Sequence, residues 1–207
     1  QRIRTAKTGE WWSTNPERAL ANNSVAYTEK PDPGIFMKEW LSLYESKSGE
    51  RGIFSRASAQ KKAAENGRRE SNWDFGTNPC SEIILRPNQF CNLTEIVVRA
   101  GDTVNTLTRK IKVATLLGTI QSTFTNFGYL RKVWQDNTEE ERLLGVSLTG
   151  IMDSELLNGR ETGLAKTLEK LKKVAVDCNK EYAEKFNINQ STAITCVKPS
   201  GTVSQLV

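Results

Sequence analysis

Residues 76–95 read GTNPCSEIILRPNQFCNLTE, and the fold and chemistry of the chain turn on this stretch. Asn78, Cys80 and Glu82 alternate along it. Strand side chains leave one face at every second residue, so a strand that takes in Cys80 gathers an amide, a thiol and a carboxylate on one side. The plainer reading is a turn at Gly76, Asn78 and Pro79 leading into an ordinary strand, with Cys80 as a small apolar filler. A second cysteine, Cys91, follows in FCNL. A strand of about six residues, a turn at Pro87–Asn88 and a return strand bring Cys91 back towards Cys80.

Outward from this stretch, strand-like and helix-like segments alternate. Ser24–Thr28 reads as a short strand after a polar segment (residues 1–23) taken as loop. Beyond the Pro31–Gly34 turn, Phe36, Met37, Trp40, Leu43 and Tyr44 recur at helical spacing and predict a helix packed on a sheet. Gly49–Arg56 returns to a strand, and Ala57–Asn66 to a short helix stopped by Gly67. Leu93–Arg99 is β-rich. Asp102 offers an N-cap to a long helix with a stripe at Val104, Leu107, Ile111, Ala114, Leu117, Ile120 and Phe124. Thr138 and Glu141 fit a capping box for a further helix carrying Leu143, Leu144 and Val146. A third helix spans Glu161–Phe186, with Cys178 on its apolar face as core packing. The pattern predicts an α/β fold with a largely parallel sheet.

Thr192–Val197 reads as a strand containing Cys196, and KPSGT (Lys198–Thr202) follows it. A Ser-Gly-Thr turn leaving a strand presents N–H groups and hydroxyls to a phosphate, particularly where a helix begins. The plain alternative is a strand-to-helix turn capped by Ser200 or Thr202.

Taken together, GTNPCSEIIL with FCNLTE, ERLLGVSLTGIMD (Glu141–Asp153) and KPSGTVS resemble the catalytic core of ribonucleotide reductases. The NPC-x-E and PSGT variants are most similar to the adenosylcobalamin-dependent class II enzymes, especially the monomeric triphosphate reductases. The resemblance runs from about Asn22–Tyr27 to the last residues. It implies that residues 1–207 are a partial catalytic domain, truncated at both ends, within a ten-stranded α/β barrel.

The same resemblance implies reduction of ribonucleotides to 2′-deoxyribonucleotides with adenosylcobalamin as cofactor. In it Cys80 carries a transient thiyl radical and takes the 3′-hydrogen. Glu82 is the general base for the 3′-hydroxyl, and Asn78 orients the sugar and Glu82. Cys91 is one member of the reducing dithiol, whose partner lies on an earlier strand. Pro199, Ser200, Gly201 and Thr202 form the substrate phosphate loop. The implied partners are a ribonucleotide, a thioredoxin-like reductant and the remainder of the barrel.

Composition narrows the classes. The chain is 37% hydrophobic and 26% charged, with no apolar run of membrane-spanning length and no signal peptide. It has no histidine, and its cysteines at 80, 91, 178 and 196 lack zinc spacing. No protein metal ligand is therefore expected, and Ser-His-Asp and Cys-His catalysis within the chain are excluded. Reduced thiols fit a cytoplasmic enzyme.

The net charge of +5 and the basic run Arg51–Arg69 raise the question of nucleic acid, but Glu65 and Glu70 interrupt the run. It is read as a solvated basic face, and no polymer partner or membrane is expected. A chain that starts at Gln1 and stops just after the phosphate turn is read as an interior piece. The rival readings are a class I large-subunit fragment, a non-catalytic nucleotide-binding fragment and, more distantly, an RNA-binding module.

Overall fold

Strand–helix–strand units recur along the chain, as the hydrophobic pattern predicts, and the fold is α/β. The computed structural model describes residues 5–20, 23–47, 51–160 and 162–199. They form two compact units, one of residues up to 65 with 70–84, the other of 66–69 with the residues from 85 onward. Among them no helix is long and apolar enough to cross a membrane.

In the first unit, the segment expected to be loop contains a short helix α1 (Trp11–Thr14) and a 3-10 turn at Pro16–Leu20. Strand β1 (Ser24–Tyr27), helix α2 (Pro33–Ser46) and strand β2 (Gly52–Ser55) make a βαβ unit. The two strands are parallel, with Val25 opposite Ile53. Asp32 caps α2 by accepting from the Ile35 N–H at 3.1 Å, and Pro33 opens the helix, where a missing N–H costs nothing.

The predicted apolar stripe of α2 is only partly covered: Met37, Trp40 and Tyr44 are exposed. A two-stranded sheet is too narrow to cover the whole face, and the helix instead buries Glu39 against Arg51. Helix α3 (Arg56–Ala64) is capped by Ser55 and packs Ala59 and Ala63 on Phe75, with Phe54 and Ile84 alongside. Short strands β3 (Gly76–Thr77) and β4 (Ile84–Leu85) pair with each other.

The second unit is built on β5 (Asn92–Val97), α4 (Val104–Gln121), α5 (Lys132–Glu141), β6 (Leu144–Thr149) and α6 (Leu164–Phe186). β5 and β6 are parallel, with Glu95 opposite Ser147. Leu144 and Val146 donate to the carbonyls of Ala193 and Ile194, and Cys196 donates to Val146, so residues 193–196 run beside β6. Regular pairing there is limited to one parallel bridge, Val146 to Thr195, and the full strand expected at Thr192–Val197 does not form.

Ile96, Val98, Leu107, Ile111, Ala114, Leu144, Val146, Leu171 and Ala175 share one core. By strand alternation Glu95, Ser147 and Thr149 project to the opposite face of the pair. Gly118 lets α4 approach the sheet; a Cβ there would lie 3.2 Å from Leu144 Cδ2.

Four helix expectations are corrected. Thr103, not Asp102, is the N-cap of α4, in a reciprocal capping box with Thr106. Asp102 instead binds Lys110 and accepts from the Arg99 N–H. The buried face of α4 continues through Thr115, Gly118 and Thr119, leaving Leu117, Ile120 and Phe124 exposed, because small residues permit the closer approach to the sheet. Thr138 and Glu141 end α5 rather than start a helix: Arg142 adopts the left-handed conformation (φ 46°), and Leu144–Thr149 is strand β6. The last helix begins at Leu164, after Gly163.

Candidate active site

Asn-Pro-Cys-Ser folds as a β-turn. Ser81 N–H donates to the Asn78 carbonyl at 3.0 Å, placing Pro79 and Cys80 at the two corner positions. Asn at the first and Pro at the second position of such a turn is what their local chemistry favours. Ser81 then takes a left-handed conformation (φ 64°), which breaks the extended backbone. The turn closes through Asn78 a second and third time: its Oδ1 accepts from Ile83 N–H at 3.0 Å, and its own N–H donates to the Ile83 carbonyl at 3.3 Å.

The strand expected through Cys80 is therefore a turn between β3 and β4, and the alternation argument for a shared face does not apply. Asn78, Cys80 and Glu82 instead lie within one six-residue loop. Cys80 is exposed at its corner, while the two carboxylate oxygens of Glu82 are shielded from solvent. The side-chain carbonyl of Asn78 is committed to the turn, and its NH2 takes no part in closing it. Behind the loop, Arg56 Nε donates to the Phe75 carbonyl at 2.9 Å and Gln60 Nε2 to the Trp73 carbonyl at 3.1 Å. Helix α3 thus anchors the entry to the turn.

Cys91 lies in the second unit, half-buried, one residue before β5. A turn does occur at Pro87–Asn88, with Asn88 left-handed (φ 58°). The expected return strand does not pair with β4, however: β5 pairs with β6, starting from Asn92 N–H to the Leu143 carbonyl at 2.9 Å. Gln89 shapes this approach. Its Oε1 accepts from Arg86 N–H at 2.8 Å, and its Nε2 donates to Glu141 Oε2 at 2.6 Å.

Cys178 is buried, its thiol donates to the Lys112 carbonyl at 3.5 Å, and burial pushes its pKa up, all in keeping with core packing. Of the expected phosphate loop, Pro199 is exposed, and Lys198 N–H donates to Ser147 Oγ at 3.0 Å. Ser200, Gly201 and Thr202 lie outside the described residues.

Sequence reasoning missed a buried polar cluster in the second unit. Glu141, fully buried, receives both arms of the Arg69 guanidinium at 2.8 and 2.7 Å, with Arg86 at 3.3 Å. Arg86 also meets Glu140 at 2.8 Å. The basic run Arg51–Arg69 is accordingly not a uniformly solvated face: Arg51 and Arg69 are both buried in ion pairs. The sequence signal was only an arginine and a glutamate 72 positions apart.

No family model matches the chain. Curated relatives do. The adenosylcobalamin-dependent ribonucleoside-triphosphate reductase of Lactobacillus gasseri is 31% identical over 156 residues, covering 63% of this chain and 21% of the relative. That of Lactobacillus acidophilus is 32% identical over 158 residues, with the same coverage of each. That of Lacticaseibacillus paracasei is 29% identical over an alignment covering 91% of this chain and 28% of the relative. The chain thus spans less than a third of the length of the curated relatives it matches. Among solved structures, a B12-dependent (class II) ribonucleotide reductase matches with a TM-score of 0.63 and 24% identity, over 95% of this chain and 31% of that one. The resemblance read from the motifs is borne out: this chain is related in sequence to a segment of the adenosylcobalamin-dependent ribonucleoside-triphosphate reductases and shares the fold of a class II ribonucleotide reductase over nearly all of its length.

Proposed function

We propose that residues 1–207 form part of a ten-stranded catalytic barrel that reduces ribonucleoside triphosphates to 2′-deoxyribonucleotides in the cytoplasm, for DNA precursor synthesis. The observation that carries this reading is the Asn78–Ile83 loop, which holds an exposed thiol, an amide and a carboxylate within six residues in a chain related to reductases of that name. The parallel β5–β6 pair with helices over one face is the kind of element from which such a barrel is assembled.

Removing a 2′-hydroxyl from ribose is difficult by polar chemistry, and a radical at the neighbouring carbon makes its departure much easier. A thiyl radical suits the task because S–H and activated C–H bonds are close in strength, so hydrogen moves in both directions. Cys80 Sγ takes the hydrogen from C3′ and later returns one. Glu82 accepts the 3′-hydroxyl proton as the 2′-hydroxyl, protonated by a thiol of the reducing pair that includes Cys91, leaves as water, a role that needs Glu82 within hydrogen-bond reach of the ribose. The Asn78 NH2 group orients the sugar. Cys91, with a second thiol, supplies two electrons and becomes half of a disulfide, which a thioredoxin-like reductant then reopens. Pro199, Ser200, Gly201 and Thr202 hold the phosphates.

Adenosylcobalamin, when bound, supplies the initiating radical; the protein supplies position and protection. The exposed thiol of Cys80 fits an encounter with such a source. The chain has no histidine, and among the described residues no group of three or more metal-ligating side chains gathers, so none is assigned to hold the cobalt.

The test is Cys80→Ser in the full-length protein. Turnover is expected to fall to background while ribonucleotide affinity stays within about threefold, because this swap leaves the rest of the pocket in place. Turnover equal to the parent's overturns the reading and favours a non-catalytic nucleotide-binding role.

A further inference from the structure

Segment 70–84, which contains the Asn78–Ile83 loop with Cys80 and Glu82, begins one residue after Arg69 and ends two residues before Arg86. Both of those arginines are buried on the same carboxylate. Arg69 grips Glu141 with Nε at 2.8 Å and one terminal nitrogen at 2.7 Å, the two-armed geometry that fixes orientation as well as distance. Arg86 reaches Glu141 Oε1 at 3.3 Å and Glu140 at 2.8 Å. Gln89 donates to Glu141 Oε2 at 2.6 Å while accepting from the Arg86 backbone, and Asn137 Nδ2 donates to the carbonyls of Pro87 and Asn88 at 3.0 and 3.3 Å. Cys91 is two residues beyond Gln89. The end of α5 thus gathers the chain just before the loop, the chain just after it, and the approach to Cys91.

We propose that Glu141 is a positioning residue for the thiol chemistry: it ties together both ends of the loop that presents Cys80 and sets where the reducing Cys91 enters β5. It touches neither substrate nor cofactor. A buried carboxylate shared by two guanidiniums, with an amide completing its hydrogen bonds, is a rigid junction because removing any one member leaves buried charge unmatched. The inference rests on the reductase reading above.

The experiment uses the full-length reductase with cofactor and reductant, and compares Arg69→Lys and Glu141→Gln with the parent and with Cys80→Ser. Arg69→Lys keeps the charge and removes the two-armed grip. For a positioning role its kcat falls by about tenfold to a hundredfold, the scale of a roughly 1 Å misplacement. Ribonucleotide affinity stays within about threefold and the protein remains folded. Glu141→Gln has the same signature with a larger fall.

Arg69→Lys with parental kcat overturns the proposal, as does a loss of kcat matched by an equal loss of affinity, or failure of Arg69→Lys to fold; the last two mark a purely structural junction. If Glu141→Gln does not fold, Arg69→Lys decides alone. Parental turnover in Cys80→Ser rejects the reductase reading itself, whereas a dead Cys80→Ser beside a fully active Arg69→Lys rejects only the role of Glu141.

Discussion

The side-chain carbonyl of Asn78 accepts the backbone N–H of Ile83 at 3.0 Å, closing the loop that presents Cys80 and Glu82. Under the proposed function one residue has two duties, with its oxygen building the loop and its NH2 group orienting the sugar. Substitutions separate them. Asn78→Ala removes both, and about 0.5–1.5 kcal/mol of stability is expected to go with the turn's hydrogen bond. Asn78→Asp keeps the acceptor and loses the donor. Both variants should lose most of the turnover, but only the alanine variant should show a lower unfolding midpoint in thermal denaturation.

Ser81 is the point at which the backbone leaves extended geometry, at φ 64°. Glycine adopts that conformation without strain, whereas a β-branched side chain does not. Ser81→Gly is expected to leave stability unchanged or slightly raised. Ser81→Val is expected to cost about 1–2 kcal/mol, by the strain of holding a branched residue there. Denaturant titration of the two variants measures the difference.

Gly118 marks the close approach of α4 to β6. A methyl group there meets Leu144 Cδ2 at 3.2 Å, with Thr94 Cγ2 at 3.6 Å behind it. Valine overfills that contact. Gly118→Val is predicted to destabilise the protein by about 1–3 kcal/mol, read as a lowered denaturant midpoint at unchanged slope.

Asp102 gives a pH signature. Its hydrogen bond to Lys110 is the main cause that holds its carboxyl below the ordinary carboxylate value, helped by the Arg99 N–H and the Thr106 hydroxyl. A folded-state value lower than the unfolded one means that the unfolded chain binds more protons in acid. The stabilisation is therefore complete at neutral pH and is lost as pH falls from about 4 through the depressed value. Asp102→Asn is expected to lower stability at pH 7 and to flatten the fall in stability below about pH 4. An unchanged slope there would contradict the assignment.

The regular elements were legible because their patterns are local. The 3.6-residue repeat gave α4 and α6, and the β-rich run around Leu93–Val98 gave β5. What failed was set by single backbone angles or by distant partners. The Asn-Pro pair announced a turn, yet nothing in the letters said that Cys80 would sit inside it, since that follows from Ser81 turning left-handed. Thr138 and Glu141 have capping-box spacing, but they stand at the end of α5, stopped by a left-handed arginine rather than by a glycine. The Arg69–Glu141 junction joins residues 72 apart and leaves no periodic trace. At the candidate site, the letters put Asn78, Cys80 and Glu82 in one short segment, while the hydrogen bond that links Asn78 to Ile83 depends on backbone angles that residue types alone do not set.

The most direct test of the thiol's proposed role follows the hydrogen it is said to take. In a rapid single-turnover reaction of the full-length protein, ribonucleotide labelled with deuterium at C3′ is compared with ribonucleotide labelled at C2′. Slower deoxynucleotide formation from the 3′-labelled substrate, with no product formed by Cys80→Ser, is the predicted result. Equal rates for both labels, together with an active Cys80→Ser protein, would contradict it.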